Sequence, residues 1–387
     1  MSKASKKPRV LLTIRHFYPN EYGAEIQARR LARALIQKGV NITILTGRYG
    51  KLPRTETIDD IPIHRHFIGL YLPVIHELFY LTSLAWQLFI HRHEYDIIHL
   101  FQAQLSVFVA VIMGNILEKK VIIRSSNTGP EGVAQLQTQL PFGRWLFRLL
   151  DSRVDAFVAV SRAMLEEFAA VGFSQEKCHL ISNGVELPDT TANDREENWI
   201  GLDLPELEEK MVALYVGRLT QHKGVETLVL AWRKVVREYP RAHLLLLGDG
   251  TLKEKLAEQV QEMGIAEKVS LLGKVTNVSD FLRVADMFIL PSQYEGMPNA
   301  ILEAMAYGLP VVTSRVSGAQ DVIIDNHNGV LADLDSPEKI AKEMLALIAS
   351  PGKRTTLGRA ALQTIEENYS MSVVSGLYIQ LYQSLLD

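Results

Sequence analysis

Cysteine is almost missing: Cys178 stands alone in 387 residues. That excludes an intramolecular disulfide framework and any cysteine-rich zinc or iron–sulfur site. Neither sign of charge dominates, with 41 Lys and Arg against 44 Asp and Glu and a net charge of -3, so the chain has no global preference for nucleic acid. Glycine at 25 and proline at 15 leave no room for a collagen-like or linker-dominated architecture. The opening, MSKASKKPRV, is basic without an apolar stretch and does not read as a signal peptide. Long apolar runs are also scarce. The most membrane-like segment, Leu70 to Ile90, is interrupted by Pro73, His76 and Glu77, and its clean remainder, Leu78 to Ile90, is 13 residues. A bilayer needs ~20. The segment reads as a buried or interfacial helix, with burial preferred. The expected setting is reducing and cytoplasmic, extending to the inner face of the plasma membrane.

What is present is an ordinary globular composition, 47% apolar and 22% charged, in a chain more than twice the length of a typical ~150-residue domain. Short apolar runs alternate with helical spacing from end to end. Arg9–Ile14, Val40–Leu45, Asp96–Phe101, Val121–Ile123 and Ala156–Val160 read as buried strands, with a helix over Ala24–Lys38. The alternation pauses in the polar, acidic stretch from Glu186 to Lys210. It restarts at Met211–Val216, His243–Leu247, Val269–Leu271, Met287–Leu290 and Pro310–Thr313. Such βαβ alternation predicts parallel sheets flanked by helices. The expectation is α/β: an N-terminal doubly wound domain over 1–186, a linker over 187–210, a second over 211–369, and a terminal helix over 370–387. Charge divides unevenly: residues 1–186 hold 22 Lys and Arg against 16 Asp and Glu, and the remainder 19 against 28. A basic first half suits an anionic surface or acceptor as well as it suits scattered solvated charge.

The chemistry gathers in the second half. Strand MVALYV runs into GRLTQHKG, placing Gly217, Arg218 and Lys223 at the carboxyl end of a strand, where open parallel sheets bind ligands. Two cations five residues apart around a turn suit a pyrophosphate, the Arg by a forked contact and the Lys as a point charge. LLLLGDG ends another strand in a tight turn at Gly248. It is no dinucleotide fingerprint. In FILPSQYEGMPNAILEAMAYGLPVV, Pro298 is expected to begin a helix ending near Gly308, with backbone N–H groups around Met297 and Asn299 forming an anion site. Glu295 and Glu303 flank that site, and carboxylates accept from paired sugar hydroxyls. Phosphate between two such acids describes a nucleotide-sugar. Asp333 and Asp335 make an Asp-x-Asp pair, but they precede Ser336-Pro337-Glu338 and a helical run, so helix capping explains them. No His, Cys or Asp grouping has metal-ligand spacing, and no nucleophile elbow is present.

GRLTQHKG, LLGDG and EGMPNAILEAMAYGLPVV, in this order and spacing, resemble the retaining glycosyltransferases of family 4, whose fold is GT-B. Glu295 and Glu303 match that family's paired-glutamate signature, and YPNEYGAEIQARRLARAL, DIIHLF and ISNGVEL are similar to its first-domain segments. The resemblance implies two Rossmann-like domains facing each other across a cleft, a terminal helix over 370–387 that crosses back to the first domain, and a nucleotide-diphosphate-sugar donor, a UDP-sugar before GDP-mannose. Arg218 and Lys223 would hold the diphosphate and offset leaving-group charge. Glu295 would bind the transferred sugar, Glu303 the ribose, and the backbone at Gly296, Met297, Pro298 and Asn299 sugar and phosphate. Val275 would lie beside the base, and Gly23 would let the first domain's loop approach the phosphates. No metal and no cofactor beyond the co-substrate are implied.

The chain departs from the family in two places. Tyr22 precedes Gly23 where paired glycines are common, and IIRSSNTGPEG replaces a segment that often holds a sugar-contacting His. His16, His99, Arg124, Ser126 and Asn127 are the remaining candidates for acceptor or sugar contacts, with a hydrogen-bonded structural role preferred for His99. The expected partners are the donor and a glycan or lipid-linked acceptor, with peripheral membrane contact through the N-terminal domain. A non-catalytic nucleotide-sugar-binding subunit and an epimerase of the same fold are the alternatives.

Overall fold

The computed structural model describes residues 7–19, 23–68, 73–102, 104–125, 132–189, 199 and 201–387. The chain forms two compact units, one built from residues 1–184 and 371–387, the other from 185–370.

In the first unit the elements run β1 (Arg9–Ile14), α1 (Gly23–Gln37), β2 (Asn41–Arg48), β3 (Thr55–Ile58), β4 (Ile61–Phe67), α2 (Pro73–Ile90), β5 (Ile97–Leu100), α3 (Ser106–Ile116), β6 (Lys120–Arg124), α4 (Val133–Gln139), α5 (Gly143–Arg153), β7 (Ala156–Ala159), α6 (Arg162–Val171) and β8 (Cys178–Leu180). They build one eight-stranded sheet in the order β3-β4-β2-β1-β5-β6-β7-β8, parallel except for the β3–β4 pair. The central strands are apolar on both faces because helices cover both. The C-terminal helix (Met371–Leu386) belongs to this unit. Its Met371, Val374, Tyr378, Leu381 and Tyr382 enter the same core as Leu31 and Leu35 of α1 and Leu12 of β1.

Two features differ from the sequence expectations. The β3–β4 hairpin was not foreseen, because IPIHRHF interrupts apolar alternation with Pro62, His64, Arg65 and His66. Helix α2 is buried on one face only. Tyr80, Leu84 and Leu88 are enclosed, whereas Leu78, Phe79, Trp86, Phe89 and Ile90 stand exposed. At 100° per residue those five share one stripe, so α2 is buried along one face and not, as preferred from the sequence, throughout. Among the described residues, no helix is long and apolar enough to cross a membrane.

The second unit runs β9 (Met211–Val216), α7 (Val225–Glu238), β10 (Ala242–Leu247), α8 (Lys253–Glu262), β11 (Val269–Gly273), α9 (Val278–Val284), β12 (Met287–Leu290), α10 (Asn299–Ala306), β13 (Val311–Ser314), α11 (Ser317–Val322), β14 (Val330–Ala332), α12 (Pro337–Ile348) and α13 (Pro351–Thr364). Its six strands are all parallel, in the order β11-β10-β9-β12-β13-β14. Leu244 to Leu247 of β10 and Met287 to Ile289 of β12 are fully enclosed.

Candidate functional site

The second sheet winds outward in both directions from β9, with β10 on one side and β12 on the other. The loops that leave β9 and β12 therefore part at the carboxyl edge of the sheet, the topological switch point where open α/β sheets take ligands. Those loops are GRLTQHKG and PSQYEGMP.

The two loops are joined to each other at several points. Gln293 donates its backbone N–H to the His222 carbonyl at 2.8 Å, and the His222 and Tyr294 rings stack with centroids 4.8 Å apart. Gly224 has φ +68, and a Cβ there would meet the Pro291 carbonyl oxygen at 2.1 Å. Only glycine allows both the left-handed turn and that approach. The result places Lys223 beside Glu295, whose side chains are 14% and 12% exposed. Lys223 Nζ donates to Glu295 Oε1, and Ser292 Oγ donates to the same oxygen at 2.8 Å. Glu295 Oε2 is left without a donor among the described residues. Ser317 Oγ fixes the Glu295 carbonyl at 2.8 Å. Arg218 is exposed and makes no ion pair among the described residues. Its carbonyl accepts from the buried Tyr215 hydroxyl at 2.9 Å, whose pKa burial raises, with the Glu295 charge adding to the effect.

The neighbouring turns complete the edge. Gly217 donates its N–H to the Leu247 carbonyl at 3.0 Å. Gly248, at φ +140, passes so close that a Cβ would lie 1.8 Å from the Gly217 oxygen. Val275 is half-buried in the loop after β11. Pro298 caps α10 from outside rather than opening it, with ψ +103. Gly296 and Asn299 are half-buried and Met297 and Pro298 buried around that first turn, and Glu303 is half-buried one turn in. Met297, Asn299 and Glu303 each have contacts of their own. At α12 the Ser336 hydroxyl accepts from the Lys339 N–H, and Asp335 pairs with Lys339 at 3.0 Å, consistent with a capping sequence.

The first unit's candidates lie in different settings. His16 is exposed, stacked on Tyr49 at 4.6 Å, beside an Arg15–Glu77 ion pair at 2.8 Å. His99 is wholly enclosed, and its Nδ1 pairs with the Tyr382 hydroxyl at 2.8 Å. Arg124 is also enclosed, donates to Asn183 and lies 4.1 Å over the Phe101 ring. Burial, with the Arg124 charge as a lesser cause, lowers the His99 pKa to about 3. Gly23 is the first residue of α1 and is exposed. Ser126 and Asn127 lie outside the described residues.

The sequence singled out Lys223 and Glu295 separately but not as a pair. Tyr215, His222, Gly224, Tyr294 and Ser317, which hold that pair in place, carry no distinguishing chemistry of their own. Only the glycine immediately after Lys223 marked a tight turn. One grouping with metal-ligand chemistry occurs among the described residues, at His64, His91 and Glu94 in the first unit. Separated in sequence, it escaped a search for ligand spacing.

A family model described as Glycosyl transferases group 1 matches residues 203–364, and one described as Glycosyltransferase Family 4 matches residues 22–188. An uncharacterized glycosyltransferase of Methanocaldococcus jannaschii is 26% identical over 386 residues, covering 94% of this chain and 95% of its own. The lipopolysaccharide core biosynthesis glycosyltransferase LpsE of Rhizobium meliloti is 30% identical over 230 residues, 59% of this chain and 64% of that protein. Among solved structures, Anabaena HepE in complex with UDP and glucose superposes with a TM-score of 0.79 at 19% identity, over 97% of this chain and 100% of that one. The last likeness shows the fold, GT-B with two Rossmann-like halves.

Proposed function

We propose that this chain, which belongs to the group 1, family 4 glycosyltransferases, transfers a sugar from a UDP-sugar to a hydroxyl acceptor with retention of configuration. Sugar transfer is the activity of the family; the donor, the stereochemistry and the setting are our reading. The observation that carries it is the Lys223–Glu295–Ser292 arrangement at the switch point. Glu295 is held through one oxygen, leaving the other to accept from a sugar hydroxyl, while Lys223 and the exposed Arg218 supply positive charge for a diphosphate. Fixed charges of this kind stabilise charge developing on a leaving group without reorganisation at the moment of reaction. In the proposed step the bond from the anomeric carbon to the diphosphate oxygen breaks. The acceptor hydroxyl bonds to that carbon on the same face, and its proton passes to the departing diphosphate. No protein base is needed, and Arg218 and Lys223 take the role a divalent cation has in metal-dependent transferases.

UDP is favoured because HepE, of the same fold, was crystallised with UDP and glucose. An envelope acceptor is favoured by the likeness to a lipopolysaccharide core enzyme. Contact with a membrane surface has its own support in the exposed apolar side chains of the first unit. Trp86 and Phe89 of α2, Ile112 and Ile116 of α3, and Phe142 and Trp145 at the start of α5 lie on helices that pack pairwise, with Arg144 and Arg148 exposed beside them. Aromatic and cationic side chains together suit an anionic headgroup layer. Turnover of a panel of UDP- and GDP-sugars with lipid-linked acceptors, read by NMR of the product's anomeric proton with and without EDTA, tests the reading. An inverted product, or loss of transfer in EDTA, would overturn it.

A further inference from the structure

The hairpin that sequence patterning did not reveal brings metal-ligand chemistry into the first unit. His64 lies in β4, and His91 and Glu94 lie in the turns directly after α2. One ring nitrogen from each histidine and one carboxylate oxygen all fall within 4.8 Å of one another. The imidazole rings are 4.4 Å apart between centroids and tilted by 40°, and His91 Nδ1 lies 3.0 Å from Glu94 Oε1. The two histidines are half-buried and Glu94 is exposed, so an ion can reach the cluster and water can fill further coordination positions. Helix α2 ends at Ile90, one residue before His91, and the negative end of its dipole favours a cation there. The guanidinium of Arg92, next in sequence to His91, is engaged elsewhere: it lies 4.4 Å from the Phe89 ring centre and donates to the Phe89 carbonyl at 2.9 Å.

We propose that His64, His91 and Glu94 bind one borderline divalent cation, Zn²⁺ before others, which fastens the end of α2 to β4. Two imidazoles and one carboxylate form a nitrogen-rich donor set that suits Zn²⁺, Co²⁺ or Ni²⁺ and is wrong for Mg²⁺ or Ca²⁺, which take oxygen. The ion clips a helix to an edge region of the sheet and takes no part in sugar transfer, so this site stands or falls independently of the proposed activity.

The test uses the full-length chain without an affinity tag, stripped of metal and titrated calorimetrically with ZnCl₂. The expected result is one Zn²⁺ per chain, a rise of several degrees in the thermal midpoint that EDTA reverses, and no such rise with Mg²⁺. His64→Gln and His91→Gln should each weaken binding by roughly 100-fold or more, as loss of a direct ligand exceeds the ~10–100-fold typical of its supporting partners. A second readout needs no variant: in the wild-type chain Zn²⁺ should protect His64 and His91 from diethyl pyrocarbonate, located by mass spectrometry. Absence of stoichiometric binding, binding that both variants retain, or equal labelling of the two histidines with and without Zn²⁺ would overturn the proposal.

Discussion

At the scale of single residues, Lys223 and Glu295 carry the most weight. Both are largely shielded from water, so each satisfies a charge that would otherwise be costly. Lys223→Ala should lower kcat by roughly 10²-fold or more, the size expected when one preorganised donor to a leaving group is lost. Its thermal midpoint should fall as well, because Glu295 keeps only the Ser292 donor in place of a cationic partner, but the protein that remains folded should still turn over about 10²-fold more slowly. Steady-state kinetics beside thermal unfolding decide it; normal turnover per folded molecule would make the lysine structural. His99 supports a prediction of opposite kind. Its pKa is about 3 in the fold against an ordinary value near 6.5, so below pH 6.5 the unfolded chain binds a proton that the folded chain refuses. The stability it allows is complete above that pH and declines toward pH 3, at up to about 1.4 kcal/mol per pH unit. Urea midpoints between pH 7.5 and 5 should fall more steeply for the wild type than for His99→Phe, and equal slopes would refute this. The individual candidate residues stood out in the sequence because Arg, Lys and Glu beside glycine turns are chemically conspicuous. Their pairing was not, since Lys223 and Glu295 lie on separate loops and meet only when β9 and β12 become neighbours.

At the scale of elements, the strands buried on both faces were legible, because a run such as Leu244–Leu247 can hardly be anything but a central parallel strand. Edge elements were not. β4 lies beside the edge strand β3 and buries Arg65 and His66, polar residues that broke the apolar pattern, and α2's apolar composition gave no sign that Trp86 would face outward. That outward face leads to a measurable expectation. Replacing Trp86 and Trp145 together by serine should reduce sedimentation with vesicles containing anionic lipid by roughly tenfold, about 1.4 kcal/mol of apolar contact, with little change in midpoint because both are already exposed. Unaltered sedimentation would remove this face from membrane contact. The loop between β9 and α7 is the second case. Gly224→Ala puts a Cβ into the Pro291 carbonyl at a left-handed φ, so it should destabilise the second unit by about 1–3 kcal/mol. It should also uncouple Lys223 from Glu295, lowering turnover beyond the loss of folded protein. If activity per folded molecule stayed normal, the stitching of the two loops would have no bearing on the site.

At the scale of the whole chain, the first unit is discontinuous: residues 1–184 are completed by 371–387, which the chain reaches only after building the second unit. The periodicity of MSVVSGLYIQLYQSLL marks a helix; its return to the first unit was implied by the family resemblance alone, and nothing in the residues themselves says which sheet will bury Tyr378 and Tyr382. The consequence is an asymmetry in what the last 17 residues support. Tyr378 and Tyr382 are fully enclosed, Met371, Val374 and Leu381 nearly so, and Tyr382 is the hydrogen-bond partner of His99. Deleting side chains of this size from a core costs about 2–5 kcal/mol each, and five together exceed the ~5–15 kcal/mol by which a whole domain is stable. The second unit loses no core residue in the same deletion. A chain ending at Ser370 should therefore lose slow hydrogen exchange across β1, β5 and α1 while retaining it in β9, β10 and β12. It should abolish sugar transfer and still bind free UDP through the second unit with an affinity within about tenfold of the intact chain. Exchange that collapsed equally in both sheets would mean that the second unit depends on the first for its fold. Protection that persisted in β1 and β5 would mean that the C-terminal helix only covers the first core and does not hold it together.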